Sequence, residues 1–262
     1  MISTNCSKMD TLLRNSGIEI DKDGFMVIPS WVKRVKLDIG LSDGAPQSAK
    51  WLEQEPDDLL IFGFEPNHHN IQSIRSRNSD WSVSIHPKHI GKRFHLIECA
   101  LSDVTENQVT PFYYTANDPG CSSLLQPKEF PVAEVVNVQT WSLNHFFRHF
   151  PFHQIPYIDF IKTDCQGADI QVIKGCSEFL DKIAIATCEA DDTRYLESRN
   201  TLGSLKSIFK ANGFIQYKPY MKNLSKILGP RLKYIHTEDP TFINQGLRTQ
   251  IALNKVRAYQ EG

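Results

Sequence analysis

Five short apolar runs, each with an acidic residue at or near its end, alternate along this chain with segments of helical spacing. They are "RVKLDIG" (34–40), "LLIFGFEP" (59–66), "FHLIECALSD" (94–103), "YIDFIKTD" (157–164) and "KIAIATCE" (182–189). Apolar runs this short and continuous suit strands covered on both faces, which are the strands of a parallel sheet. Between them, "APQSAKWLEQE" reads as a helix, with Pro46 tolerated in its first turn and Pro56 stopping it. "NHHNIQSIRSRN", "WSLNHFFRHF" (141–150), "ADIQVIKGCSEFL" and "TLGSLKSIFKANGF" read as further helices, the last closed by Gly213. Asp169 falls in a first turn, where the helix dipole favours a negative charge. "FIQYKP", "LKYIHTED" and "TQIALNKV" complete the strand set, and the stretch near 104–140 reads as a β-rich hairpin insertion. Strand–helix–strand repetition predicts an α/β fold with a doubly wound, mostly parallel sheet.

Composition narrows the function classes. With 262 residues and 40% hydrophobic content, one domain with a full core is expected, over residues 31–262 after an N-terminal extension (1–30). A net charge of −1, with both signs mixed along the chain, gives no electrostatic ground for a nucleic-acid partner. The six cysteines show no CxxC and no regular spacing, which predicts free thiols in a reducing compartment. No apolar run is long enough to span a membrane, and "MISTNCSKMDTLL" lacks the features of a secretory signal. A cytoplasmic protein is expected.

In doubly wound sheets, ligands bind beyond the C-terminal ends of the strands. Here those ends carry Asp38–Gly40, Glu65, Cys99–Ser102, Asp164 and Glu189. The first forms D-x-G-x-x-x-G through Asp38, Gly40 and Gly44, where glycine lets the backbone turn sharply and approach a ligand. The rival is the dinucleotide pattern G-x-G-x-x-G, which presents a helix N-terminus to a pyrophosphate. Asp38 stands where its first glycine belongs, and Asp43 lies beside the helix start. Two acids would repel a pyrophosphate but suit the sulfonium and ammonium of S-adenosylmethionine (SAM). Glu65 could accept hydrogen bonds from both hydroxyls of a ribose.

These residues, with "LDIGLSDGAPQS", "FGFEPNHHN", "IECALSD", "CSSL", "VNVQTWSL" and "IDFIKTDCQGADIQVIKG", resemble the FkbM family of SAM-dependent methyltransferases over roughly 33–217. Leu41 and Ser42 replace that family's Ala-Asn, Gln166 replaces its Glu, and Asp169 stands where Glu is usual. The resemblance implies a class I methyltransferase fold, a Rossmann-like seven-stranded sheet whose last strand runs antiparallel. It also implies methyl transfer from SAM to a hydroxyl. Asp38, Gly40 and Ser42 would line the methionine moiety, Glu65 the ribose, and Ala100, Leu101 and Ser102 the adenine. Gly44, Pro66 and Ser123 join this cofactor set through their motifs, with Ser122 in the same small-residue stretch.

Asp164 would face the reacting methyl group, and is the first candidate for a base or orienting group; its rival role is a cap for the helix near Gly167. His68 is the second catalytic candidate, its rival an exposed first helical turn. Asp164, Glu189 and Asp191 could supply oxygen ligands to Mg²⁺ or Mn²⁺, unless "CEADDTRY" is a solvated loop. His86 and His89 could border the acceptor, whereas His145, His149 and His153 read as surface. The acceptor expected is a sugar hydroxyl, on a glycan or glycan precursor. A small natural product and a catalytically inactive SAM-binding module are the alternatives, and an NAD-dependent oxidoreductase is a distant third.

Overall fold

The computed structural model describes residues 4–78, 83–116, 118–218 and 239–251. Seven strands form one sheet: β1 (Arg34–Ile39), β2 (Leu59–Phe64), β3 (Phe94–Ile97), β7 (Phe160–Thr163), β8 (Ile185–Cys188), β9 (Phe214–Gln216) and β10 (Thr241–Asn244). Their order is β3-β2-β1-β7-β8-β10-β9, and only β10 runs antiparallel to its neighbours. A second sheet of three strands joins β4 (Ala100–Leu101), β6 (Val132–Trp141) and β5 (Gln108–Thr115), the last two antiparallel. The helices are α1 (Thr4–Asn15), α2 (Pro46–Gln54), α3 (His68–Ser76), α4 (Leu143–Arg148), α5 (Asp169–Lys174) and α6 (Leu202–Ala211).

Every residue of β2 is buried, as its unbroken apolar run predicts for a strand with helices on both sides. One core lies between the sheet and α1, α4, α5 and α6, and takes in Met9, Leu13, Ile18 and Met26 from the first thirty residues. The other lies under α2 and α3, around Trp51, Phe94 and Phe160. Asn67 caps α3 by accepting the N–H groups of His69 and Asn70, which fixes the chain where it leaves β2.

Four local expectations differ from the structure. The run 94–103 is two strands in two sheets, because the chain leaves β3 at Glu98–Cys99 and Ala100–Leu101 pairs with Thr140–Trp141 of β6. The helix expected from 168 to 180 ends at Lys174, where Gly175 packs so closely on the Ser102 carbonyl that a Cβ would lie 2.2 Å from it. Residues 249–251, expected in a strand, are helical, while "LKYIHTED" lies almost wholly outside the described residues. His145 and His149 are buried, not on the surface. The His145 ring accepts the Ser142 N–H in a capping box, and the His149 ring pairs with the Gly24 carbonyl at 2.8 Å, so each buried ring has a polar partner.

Candidate active site

Strands β1, β2, β7 and β8 end at one edge, and a cleft opens there. Gly40, Ser42, Glu65, Pro66, Ala100, Leu101 and Asp164 line it, as the strand-end motifs predict. Asp38, Gly44, Ser102, Ser123 and His68 do not. Asp38 is buried beneath the β1 turn, where Oδ2 accepts the Ser48 hydroxyl at 2.6 Å and burial pushes its pKa up. The Gly44 carbonyl accepts the Ile85 N–H, and the Ser102 N–H donates to Trp141. Ser123 Oγ donates to the Gln166 carbonyl, while the His68 ring bonds the Tyr114 hydroxyl at 2.8 Å.

Gly40 answers to the neighbouring strand. Its φ is +80°, and a Cβ built there would lie 1.9 Å from the Asp164 carbonyl oxygen. The ends of β1 and β7 therefore touch backbone to backbone, and glycine is demanded before any ligand arrives. Glu65 sits deeper, 4% exposed. Its Oε2 accepts the Leu41 N–H at 3.0 Å and its Oε1 the Asn67 N–H at 2.9 Å, so one carboxylate holds the β1 and β2 turns together. Burial raises its pKa to about 7 against the lowering effect of these hydrogen bonds.

At the end of β7, the Lys162 ammonium lies 3.2 Å from Asp164 and 3.7 Å from Asp38, and also donates to the Gly40 carbonyl. Burial pushes the Asp164 pKa up, but Lys162 and the Gln166 amide, which donates at 2.8 Å, outweigh it and hold the group below the usual carboxylate range. The helix-cap role for Asp164 fails. Asp169 Oδ1 accepts the Cys165 N–H and Asn200 Oδ1 the Ile170 N–H, so those two side chains close the start of α5. Gln166 adopts φ +53° and Gly167 φ +86°. The Tyr195 hydroxyl, fully buried, lies 2.8 Å from both the Gln166 side-chain carbonyl and the Cys121 backbone carbonyl.

The sequence motifs miss Phe112, Pro119 and Gly120, which reach the cleft from β5 and the turn after it, beside Leu124 of the "CSSL" stretch. Only the expectation of a β-rich insertion near 104–140 covered them. Gly120 comes so near that a Cβ there would be 3.4 Å from Ser42 Oγ.

The acidic cluster does not fit a metal ion. Arg194 Nη2 pairs with Glu189 and its Nε with Asp191, each at 2.5 Å, while Lys162 holds Asp164. Among the described residues no three His, Cys, Asp or Glu side chains converge as ligands. His86 and His89 are also misplaced as acceptor contacts. They lie with Asp57 and Arg93, which precede β2 and β3, at the opposite edge of the sheet.

The strand order, with one antiparallel strand set between the fifth and the last, defines the class I methyltransferase arrangement. Residues 38–215 match the family model described as the methyltransferase FkbM domain, and the chain belongs to that family. No curated protein matches it. Among solved structures it is similar to "StiE O-MT residues 942-1257", at 10% identity and a TM-score of 0.33, over 95% of this chain and 65% of that one. It is also similar to the "Human methyltransferase 10 domain containing protein", at 9% identity and a TM-score of 0.35, over 90% of this chain and 91% of that one.

Proposed function

We propose that the chain is a SAM-dependent O-methyltransferase acting on a sugar hydroxyl, with residues 31–262 as its catalytic domain. Glu65 carries this reading. Its buried carboxylate accepts the Leu41 and Asn67 N–H groups and lines the cleft, where it could also receive a ribose diol. Ala100 and Leu101 give the same cleft an apolar wall suited to an adenine. Gly40 and Ser42 stand beside Asp164, where the methionine end would lie.

Bound SAM supplies an activated methyl group. The acceptor oxygen would take that methyl group by in-line displacement, with its own proton passing to water. Asp164, ionised beside Lys162, accepts the acceptor O–H and orients its oxygen for in-line attack. A carboxylate held this low is a weak base, so its work is alignment. The mouth also offers the Gln166 amide and the hydroxyls of Ser42 and Ser122, a set that matches a hydroxyl-rich acceptor. The β5–β6 pair is read as an insertion that roofs the cleft. Among the described residues five cysteines are free thiols, which supports work in a reducing compartment such as the cytoplasm.

Calorimetry with S-adenosylhomocysteine (SAH), followed by SAH release with a panel of sugars, tests the reading. A folded protein that binds neither SAM nor SAH overturns it. Turnover confined to non-sugar acceptors overturns only the sugar assignment.

A further inference from the structure

Asp164 follows the end of β7, and Glu189 and Asp191 follow the end of β8. Glu189 follows Asp164 laterally, because its N–H donates to Thr163 in continuation of the β7–β8 ladder. Such a group invites a divalent cation, yet the cations found there belong to the chain. Lys162 takes Asp164. Arg194 takes the other two with two sides of its planar fork, Nη2 on Glu189 Oε1 and Nε on Asp191 Oδ2. Asp191 is further fixed by the N–H and hydroxyl of Thr193, both at 2.7 Å. The next residue, Tyr195, is locked against Gln166 and Cys121. Arg194 is thus tied at both ends of a short turn and cannot swing away without breaking that wall of the site. Its Phe130 neighbour lies 6.0 Å from the guanidinium carbon. Glu189 Oε2 is buried with no hydrogen-bond partner among the described residues, a spare oxygen that a vacated site would offer to an ion.

Gln166 completes the pattern. Its amide donates to Asp164 while its carbonyl receives the Tyr195 hydroxyl. A glutamate at 166 would face Asp164 with a fourth carboxylate, and would need a proton or a cation between them. An amide at that position fits a site whose charges are already balanced.

We infer that the guanidinium of Arg194, clamped between Glu189 and Asp191 beside Asp164, is a built-in cation that satisfies these carboxylates in place of a divalent metal, and that the acceptor side works without metal. Its bearing on catalysis rests on the methyltransferase reading, but the metal measurement does not. Arg194 is a positioning residue: it fixes the carboxylates that border Asp164 and leaves the methyl transfer itself to Asp164 and the two substrates.

The test titrates Mn²⁺, followed by electron paramagnetic resonance, into the full chain as wild type, Arg194→Ala, Arg194→Gln and Arg194→Lys, with SAH calorimetry alongside. Wild type and Arg194→Lys should leave the Mn²⁺ signal free up to about 1 mM, whereas Arg194→Ala and Arg194→Gln, with Glu189 and Asp191 released, should bind the ion. Adding Asp191→Asn to Arg194→Ala should remove that binding. SAH affinity should stay within about threefold throughout, because Arg194 does not line the cofactor cleft. Wild-type Mn²⁺ binding that Asp191→Asn abolishes would overturn the inference. So would folded Arg194→Ala and Arg194→Gln that bind no Mn²⁺. If both fail to fold, wild-type titration decides: turnover unchanged by EDTA with no bound Mn²⁺ supports the inference, and a bound ion sinks it. Loss of SAH binding in wild type would instead sink the methyltransferase reading and leave the Mn²⁺ result standing.

Discussion

The Lys162 ammonium sits 3.2 Å from the Asp164 carboxylate and 3.7 Å from that of Asp38, one cation serving a half-buried acid and a fully buried one. Asp38 is closed in and Asp164 faces the cleft, so the pair keeps the open carboxylate charged. Replacing Lys162 with Met should let burial win and raise the Asp164 pKa. Turnover should then fall at acidic pH, where wild type holds. A pH–rate profile compares the two, and coincident acid limbs would dismiss the role given to Lys162.

Asp164→Asn keeps shape and removes charge. If alignment is its work, turnover should drop about 10²-fold, the usual cost of a misplaced reacting group, with SAH affinity within about threefold. Single-turnover rates beside calorimetry measure both. A loss near 10⁴-fold with a shifted pH profile would restore general-base catalysis.

Glu65 links binding to pH. Its pKa stands near 7 in the folded protein against 4.5 for an ordinary glutamate. Between those values the folded state holds more proton than the unfolded one, so this group makes stability fall as pH rises from about 4.5 to 7. A ribose diol donates hydrogen bonds and favours the carboxylate. SAH binding should therefore release a proton near pH 6, and affinity should climb by up to about tenfold per pH unit until the site is ionised. Calorimetry in buffers of different ionisation enthalpy reads the proton directly. Glu65→Gln should abolish the release. It should also lower the melting temperature, because an amide turns its NH₂ toward Leu41 or Asn67, both of which are themselves donors.

Gly40→Ala should destabilise the protein by about 3 kcal/mol or more, since the added Cβ meets a backbone carbonyl at a left-handed position. Gly213→Ala, also left-handed (φ +79°) but with nothing within 4 Å of the added carbon, should cost only about 1 kcal/mol. Denaturant melts separate the two. Equal losses would mean that conformation and not the β1–β7 contact sets the cost at Gly40.

Tyr195→Phe leaves the ring packing in place and strips a hydroxyl from two buried carbonyls, those of Gln166 and Cys121. The expected loss is about 1–3 kcal/mol in urea unfolding, with faster SAH release as the turn at Cys121 loosens. An unchanged off-rate would show that this turn does not hold the cofactor.

The main sheet was legible because its signals are local. β2 is an unbroken apolar run and α2 carries Pro46 in its first turn, as such elements require. Glu65 and Asp164 were found because the ends of parallel strands collect at one edge. What stayed hidden depends on distant partners. Nothing near 94–103 says that two residues of it will pair with Thr140 and Trp141 some forty positions later. His145 looked like surface until Ser142 supplied its partner. The acids of "CEADDTRY" suggested a metal because Arg194, printed inside the same motif, gave no sign that its side chain would fold back across Glu189 and Asp191. Lys162 was passed over for the opposite reason, as one more lysine in a strand.

The contact between Gly40 and the Asp164 carbonyl has a diagnostic consequence. A glycine demanded by the adjoining strand is blind to chemistry, and a relative that had lost methyl transfer would need it as much as an active one. Finding D-x-G in a sequence therefore certifies that two strands meet at that edge, and no more. Competence has to be judged on side chains that the sheet itself could spare, such as the Ser42 hydroxyl.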